Sequence, residues 1–373
     1  MRYRRMPIEI ESPEQLGYDT ITYNLSESSV ADRRLGDLGI DVDVAELLLC
    51  YGDHLGDPVL REAVAALGDG LRADDVLVTT GAAAALFATA TSLLERDDHA
   101  VVVRTNYATN LETPRAIGAA LDVVDLQFDE AWRLDVERCA ARVQPGATKL
   151  ISVTCPHNPT GTLLDLDTLH ALVELAERSG AVLLVDETYR DLTHGTPLPM
   201  AATLSTRAIS VASMSKAYGL PGLRVGWAVC RDAALAETLL AAKEQIVICG
   251  ATIDEAIAGH VMQDRARILP PIVDDVRARL AIVREWMHAQ QTFEWVEPAG
   301  GVIGLVRARP DVAFDTARFY DTLLAEYGTY VGPGHWFELD DRYFRLGYGW
   351  PTTAELSAGL DGLLAAAQAS LTP

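Results

Sequence analysis

Residues 213–227 read SMSKAYGLPGLRVGW. Ser213 and Ser215 precede Lys216, glycines follow it, and Arg224 stands eight residues after the lysine. A solvated surface lysine needs no such setting. A lysine that bonds covalently to a phosphorylated cofactor does, because the amine must be held where it can lose its proton. The phosphate in turn needs hydroxyls and a guanidinium fork.

The stretch leaves one apolar run, AISVAS (208–213), and enters another, RVGWAVC (224–230). Similar runs are VLVTT (76–80), HAVVVR (99–104), KLISVT (149–154) and AVLLVD (181–186). Short runs rich in valine and isoleucine read as strands covered on both faces. Helical stretches lie between them. In one, Asp165 caps a stripe of Leu166, Leu169, Leu172, Val173 and Ala176, and Gly180 follows its end. This alternation predicts an α/β fold whose large domain has a mostly parallel seven-stranded sheet with helices on both faces. After about residue 250 the pattern changes to a helical region over roughly 252–291, with a break expected at Pro270-Pro271. Short strands near FEWV, GVIGLV, TYVG and YFRLGY follow, with helices around 314–326 and 352–369. The expected division is a segment 1–40 packing with a small α+β domain at 271–373, and a large cofactor-binding domain at 41–270.

Ligands of a parallel sheet bind beyond the carboxyl ends of its strands. TCPHNPTG presents Asn158 there, VDETY presents Asp186 and Tyr189, and SMSK presents Ser213 and Lys216. Asn158, Asp186 and Lys216 are spaced by 28 and 30 residues, each about one helix-plus-strand unit, so all three should surface on one rim. An acid, an amide, a phenol and a lysine together suit pyridoxal phosphate. The lysine forms a Schiff base, a buried aspartate keeps the pyridine nitrogen protonated, and asparagine and tyrosine reach the ring oxygen. Arg224 and Ser213 suit the phosphate, as do the amides of Gly81, Ala82 and Ala83 where TTGAAAALF begins a helix. Tyr107 can lie flat on the ring.

These motifs resemble the aspartate aminotransferase-like, fold-type I enzymes of the class I/II aminotransferase family. The resemblance rests on S-x-S-K with arginine eight residues on, N-P-T-G, D-x-x-Y and YGDHLGDPVLR, and runs from about residue 45 to YFRLGYG near 348. It implies that Lys216 is the covalent anchor and proton carrier, with Asp186 and Tyr189 as its catalytic partners. It also implies that Tyr51 reaches the phosphate of a second subunit in a homodimer with shared active sites, and that Arg345 binds the substrate α-carboxylate. An aminotransferase acting on an L-amino acid is expected. The alternative is an elimination, cyclisation or replacement enzyme, since PHNPTG and SKAYGLPGLRVGW are similar to stretches of capreomycidine synthase-like members.

Two departures concern the substrate. YNLSESSVADRRL replaces the glycine-proline turn found in many relatives, which puts Glu27 where a cationic or amine-bearing side chain could be read. KEQIVICGATID offers no second arginine for a distal carboxylate, which points away from aspartate and glutamate.

The 373 residues, 49% of them hydrophobic, suffice for two domains with a large core. A net charge of −22 argues against nucleic acid and anionic membrane as partners. Five scattered cysteines without CxxC spacing read as free thiols in a reducing cytoplasm, and no histidine or cysteine cluster suggests a metal. MRYRRMPIEIESPEQ is basic but has no apolar stretch behind it, so it does not read as a signal peptide.

Overall fold

The computed structural model describes residues 1–371. A two-residue strand β1 (Tyr23–Asn24) precedes a seven-stranded sheet. Its members are β2 (Val76–Thr79), β3 (His99–Arg104), β4 (Ala120–Asp125), β5 (Thr148–Thr154), β6 (Val182–Asp186), β7 (Ala208–Ser213) and β8 (Gly226–Cys230). They lie in the order β2-β8-β7-β6-β5-β3-β4. Every pairing is parallel except those of β8 with β2 and β7. Six of the strands coincide with the apolar runs. The seventh, β4, does not stand out in the sequence because it is a partly exposed edge strand with only Val124 buried. An edge covered on one side does not need a continuous apolar run.

The helix Leu166–Ser179 is built as its sequence indicates. The Asp165 carboxylate accepts from the Thr168 amide at 2.7 Å, and Gly180 ends it at φ +79°. The expected break at Pro270-Pro271 is corrected. One helix ends at Gln263 and the next, Arg265–Ala289, runs through both prolines. Two proline rings remove two amide donors from that helix. Burial of Ile268, Leu269, Ile272 and Val276 on either side holds the segment helical regardless.

The remaining strands are β9 (Phe293–Trp295), β10 (Ile303–Ala308), β11 (Thr329–Tyr330), β12 (Gly332–Pro333) and β13 (Tyr343–Gly347). An antiparallel sheet β12-β13-β10-β9 packs with the helices Thr316–Tyr327 and Thr353–Ala369, the latter opened by a Thr352/Glu355 capping box. β1 pairs in parallel with β11, so the N-terminal segment is stitched to the C-terminal part. One hydrophobic core joins the two regions. It contains Leu25 and Val30 from the N-terminus, Met214 and Tyr218 beside Lys216, and Phe344 and Leu346 of β13. Leu25 is fully buried, worth roughly 1.5–3 kcal/mol in removing it from water.

Candidate active site

Strand register sets the rim. Thr154 at the end of β5 pairs with Asp186 at the end of β6, and Asp186 pairs with Val211, two residues before the end of β7. The loops that follow these three strands therefore leave the sheet at nearly one level, and Asn158, Asp186 and Lys216 line one cavity of about 270 Å³.

Asp186 is buried. Its Oδ1 accepts from the Thr188 amide at 3.1 Å and the Thr188 hydroxyl at 2.6 Å. Burial pushes this carboxyl up, and the two Thr188 donors pull it back. A carboxylate so placed gains from a cationic N–H brought against it. Lys216 is half-buried, and its Nζ donates to the Ser28 hydroxyl at 2.9 Å. Burial pulls its pKa below the ordinary lysine value, while nearby Glu27 works the other way. The neutral amine is correspondingly easier to reach.

Three features make an anion cradle. The helix Gly81–Leu93 has no side-chain cap at its N-terminus, and Ala82 and Ala83 of its first turn line the cavity. Uncapped first-turn amides are free donors at the positive end of the helix dipole. Gly81 (φ +75°) is not itself part of the lining, but a Cβ there would lie 2.9 Å from Arg224 Nη2, so its missing side chain lets the guanidinium close on the helix start. Arg224 sits at φ 52°, after the turn Pro221–Leu223, and its Nη1 donates to the Pro221 carbonyl at 2.9 Å. This turn is why β8 begins at Gly226 rather than at residue 224. Ser213 lines the same cavity, and its hydroxyl accepts from the Ser215 amide at 3.4 Å.

Arg345, on β13, is 4% exposed. Its Nη2 donates to the Ser26 carbonyl at 2.7 Å and its Nη1 to Asn158 Oδ1 at 3.3 Å. Its Nε is buried without a partner. The guanidinium also lies over the rings of Phe337 and Trp336, at 5.3 and 5.7 Å. Tyr189 lines the cavity too, although its hydroxyl donates to the Ser28 carbonyl at 2.7 Å. Tyr107 begins the helix after β3, half-buried in the lining. Glu27 is half-buried there as well, with the Tyr18 hydroxyl 3.4 Å from its Oε1.

Tyr51 stands apart. It is 80% exposed and lines no part of this cavity. Two residues that sequence reasoning passed over, Ser26 and Ser28, make the contacts to Arg345 and Lys216. Their signal is a run of small hydroxyls between Leu25 and Val30, both of which anchor the core. Buried serines in such a run need polar partners.

The donor set fits pyridoxal phosphate. A buried carboxylate awaits a cationic ring nitrogen, a half-buried amine is pushed toward neutrality, and uncapped helix amides and a guanidinium await an anion.

Comparison with known proteins agrees with this geometry. The sequence profile of the family "Aminotransferase class I and II" matches residues 40–363. Capreomycidine synthase of Streptomyces vinaceus is 32% identical over 85% of this chain and 81% of its own length. The arginine–pyruvate transaminase of Pseudomonas aeruginosa is 28% identical over 77% of this chain and 74% of its own. Among solved structures, a PLP-dependent aminotransferase from Streptococcus suis superimposes over the whole of both chains with a TM-score of 0.92 and 27% identity. The PLP-dependent cyclase OrfR superimposes over 99% of this chain and 98% of its own, with a TM-score of 0.88 and 30% identity.

Proposed function

The chain belongs to the aminotransferase class I and II family and is a pyridoxal-phosphate-dependent enzyme, and from that premise we propose the part each residue plays. The first-turn amides of Ala82 and Ala83, with Ser213 and Arg224, would hold the phosphate, and Gly81 would serve by leaving room for the guanidinium. Asp186 would hold the protonated ring nitrogen, Asn158 and Tyr189 would serve the ring oxygen, Tyr107 would pack on the ring, and Lys216 would be the covalent anchor. When bound, the cofactor supplies an electron-accepting ring that stabilises the charge left at Cα.

The chain's own residues do the rest. Arg345 takes the α-carboxylate of the amino acid on its unpartnered Nε–H and so orients Cα. Lys216 Nζ, freed as an amine when the amino group of the substrate takes its place, would remove the Cα proton and later return it. One positioned base of this kind contributes about 10²- to 10⁴-fold. A single observation carries this reading: buried Asp186 and Arg345 and half-buried Lys216 meet in one cavity, and Lys216 has no carboxylate within 4.0 Å. The test is exchange of the Cα hydrogen in heavy water. Deuterium should enter an accepted amino acid with the wild type and not with Lys216→Ala. Equal exchange by both proteins contradicts the assignment.

After proton removal, two outcomes share these residues. One is amino transfer to a keto acid. The other is elimination or cyclisation, favoured by the likeness to capreomycidine synthase and OrfR. Product analysis with an acceptor keto acid separates them. An aminated acceptor marks transfer, and a ring-closed product with unchanged acceptor marks cyclisation.

The enzyme works as a homodimer in which Tyr51 crosses into the neighbouring subunit's site. Support comes from exposed Leu48, Leu49 and Tyr51 on one loop and exposed Ile246 and Ile248 on another. The Thr252 hydroxyl donates to the Cys50 carbonyl at 3.0 Å and ties the two loops together. Its five cysteines are free thiols, which suits the cytoplasm. Among the described residues no helix is long and apolar enough to cross a membrane.

A further inference from the structure

The N-terminal segment brings three carboxylates to the cavity that holds Lys216: Glu9, Glu14 and Glu27. Glu27 is the most enclosed. Its two neighbours contact the cations of the site, Ser26 through its carbonyl on Arg345 and Ser28 through its hydroxyl on Lys216. Glu27 is therefore held between the group that orients the α-carboxylate and the group that works on Cα. The placement is rigid, because Gly347 donates to the Leu25 carbonyl at 2.7 Å and a Cβ on Gly347 would fall 2.0 Å from the Glu27 carbonyl.

None of the three carboxylates forms an ion pair within 4.0 Å among the described residues. Two of them meet phenols: Tyr18 on Glu27 at 3.4 Å and Tyr107 on Glu9 at 3.5 Å. Burial pushes the Glu27 carboxyl above its ordinary range, with Glu14 adding repulsion and Lys216 and Arg345 opposing it. The chain supplies no cation dedicated to this carboxylate, and burying an unpaired charge is costly.

A second observation points to a ligand independently. Arg345 Nε is fully buried, unpartnered and in the same cavity, so it awaits an anion. The cavity thus asks for a molecule that is anionic at one end and cationic at the other. We propose that the substrate is an amino acid whose side chain carries a guanidinium or ammonium group, and that Glu27 reads that group with Glu14 at the cavity mouth. This rests on the reading above, in which Arg345 takes the α-carboxylate.

A counter-ion for Lys216 is the rival role for Glu27. It would act on every substrate equally, whereas a side-chain reader discriminates by charge. The experiment is an absorbance titration of the holoenzyme with two matched pairs. L-Arginine is set against L-citrulline, its neutral counterpart of equal length, and L-lysine against L-norleucine. The cationic member of at least one pair should bind ~10-fold or more tightly, a difference of about 1.4 kcal/mol. The favoured pair shows whether the cation is guanidinium or ammonium. Glu27→Gln should cut the ratio to about 3-fold or less, and Glu27→Asp should keep part of it. Glu14→Gln and Tyr18→Phe should lower it less, and they carry the test if Glu27→Gln does not fold.

Ratios near one in the wild type overturn the proposal. So does a Glu27→Gln variant that weakens both members of a pair equally. If neutral amino acids perturb the cofactor as strongly as cationic ones, only this inference falls. If no amino acid perturbs it, the enzymatic reading falls as well.

Discussion

Arg345 Nη2 donates to the carbonyl of Ser26 at 2.7 Å, so a guanidinium on β13 is clamped by the N-terminal segment. The contact aims the fork, and the buried Nε is the group left for a ligand. Arg345→Lys keeps the charge but loses the fork, leaving the acceptors on Ser26 and Asn158 without their donors. We expect kcat/KM to fall about 100-fold, mostly through KM, since an α-carboxylate bound as proposed would be held in ground and transition states alike. Steady-state kinetics check this. A fall confined to kcat would instead place Arg345 in the proton-transfer step.

The anion cradle depends on close backbone packing. A Cβ on Gly226 would meet the backbone of Gly81 at 2.5 Å and the amide nitrogen of Ala82 at 2.6 Å. Neither is the free end of a side chain, so the helix start must move. Gly226→Ala should cost about 1–3 kcal/mol of stability and release pyridoxal phosphate on dialysis. Gly195→Ala, where a Cβ meets nothing within 4 Å, is the control. Equal cofactor retention by the two variants would contradict the cradle.

Acid should loosen the attachment of the loop that carries Trp336. Glu338 accepts from Arg104 Nη1 at 2.8 Å and from Arg115, and these guanidinium groups hold its carboxyl down from 4.5 to about 2. A depressed folded-state pKa stabilises the protein at pH values above the unfolded one, and that stability drains away as pH falls through the folded one. The window therefore runs from about pH 4.5 down to about pH 2. Glu338→Gln should unfold at lower urea than the wild type at neutral pH, and the gap should narrow across that window. A gap independent of pH would contradict the linkage.

The exposed patch around Tyr51 makes a statement about assembly. Leu48 is 77% exposed and lies three residues before Tyr51. On the proposed homodimer, Leu48→Asp should shift sedimentation toward monomer and weaken cofactor retention, because each site would lose the tyrosine from its neighbour. Tyr51→Phe should keep the dimer and affect only cofactor affinity. A wild-type monomer at micromolar concentration with full cofactor retention would contradict both expectations.

The sequence reveals those parts of the site that follow from chain periodicity. β5, β6 and β7 are covered on both faces and so read as unbroken apolar runs, and one strand-helix unit between Asn158, Asp186 and Lys216 carries them to the same rim. β4 escapes because an edge strand shows ordinary polarity. Pro270 and Pro271 mislead because tertiary burial overrides a local helix breaker. The contacts of Ser26 and Ser28 are invisible for another reason: they arise when the N-terminal segment docks on elements far along the chain. The traces of that docking are glycines. Gly219, at φ +64°, would place a Cβ 2.3 Å from the Ala31 carbonyl, and Gly347 is pressed against Glu27 in the same way. Such close approach is visible only once the partner backbone is in place.

The proposed anchor of the cofactor is the amine of Lys216. The most direct test is borohydride reduction of the holoenzyme, followed by digestion and peptide mass mapping. One pyridoxyl-phosphate adduct per chain is expected, on Lys216, with none in Lys216→Ala. An adduct on another lysine, or none from a yellow wild-type preparation, would contradict it.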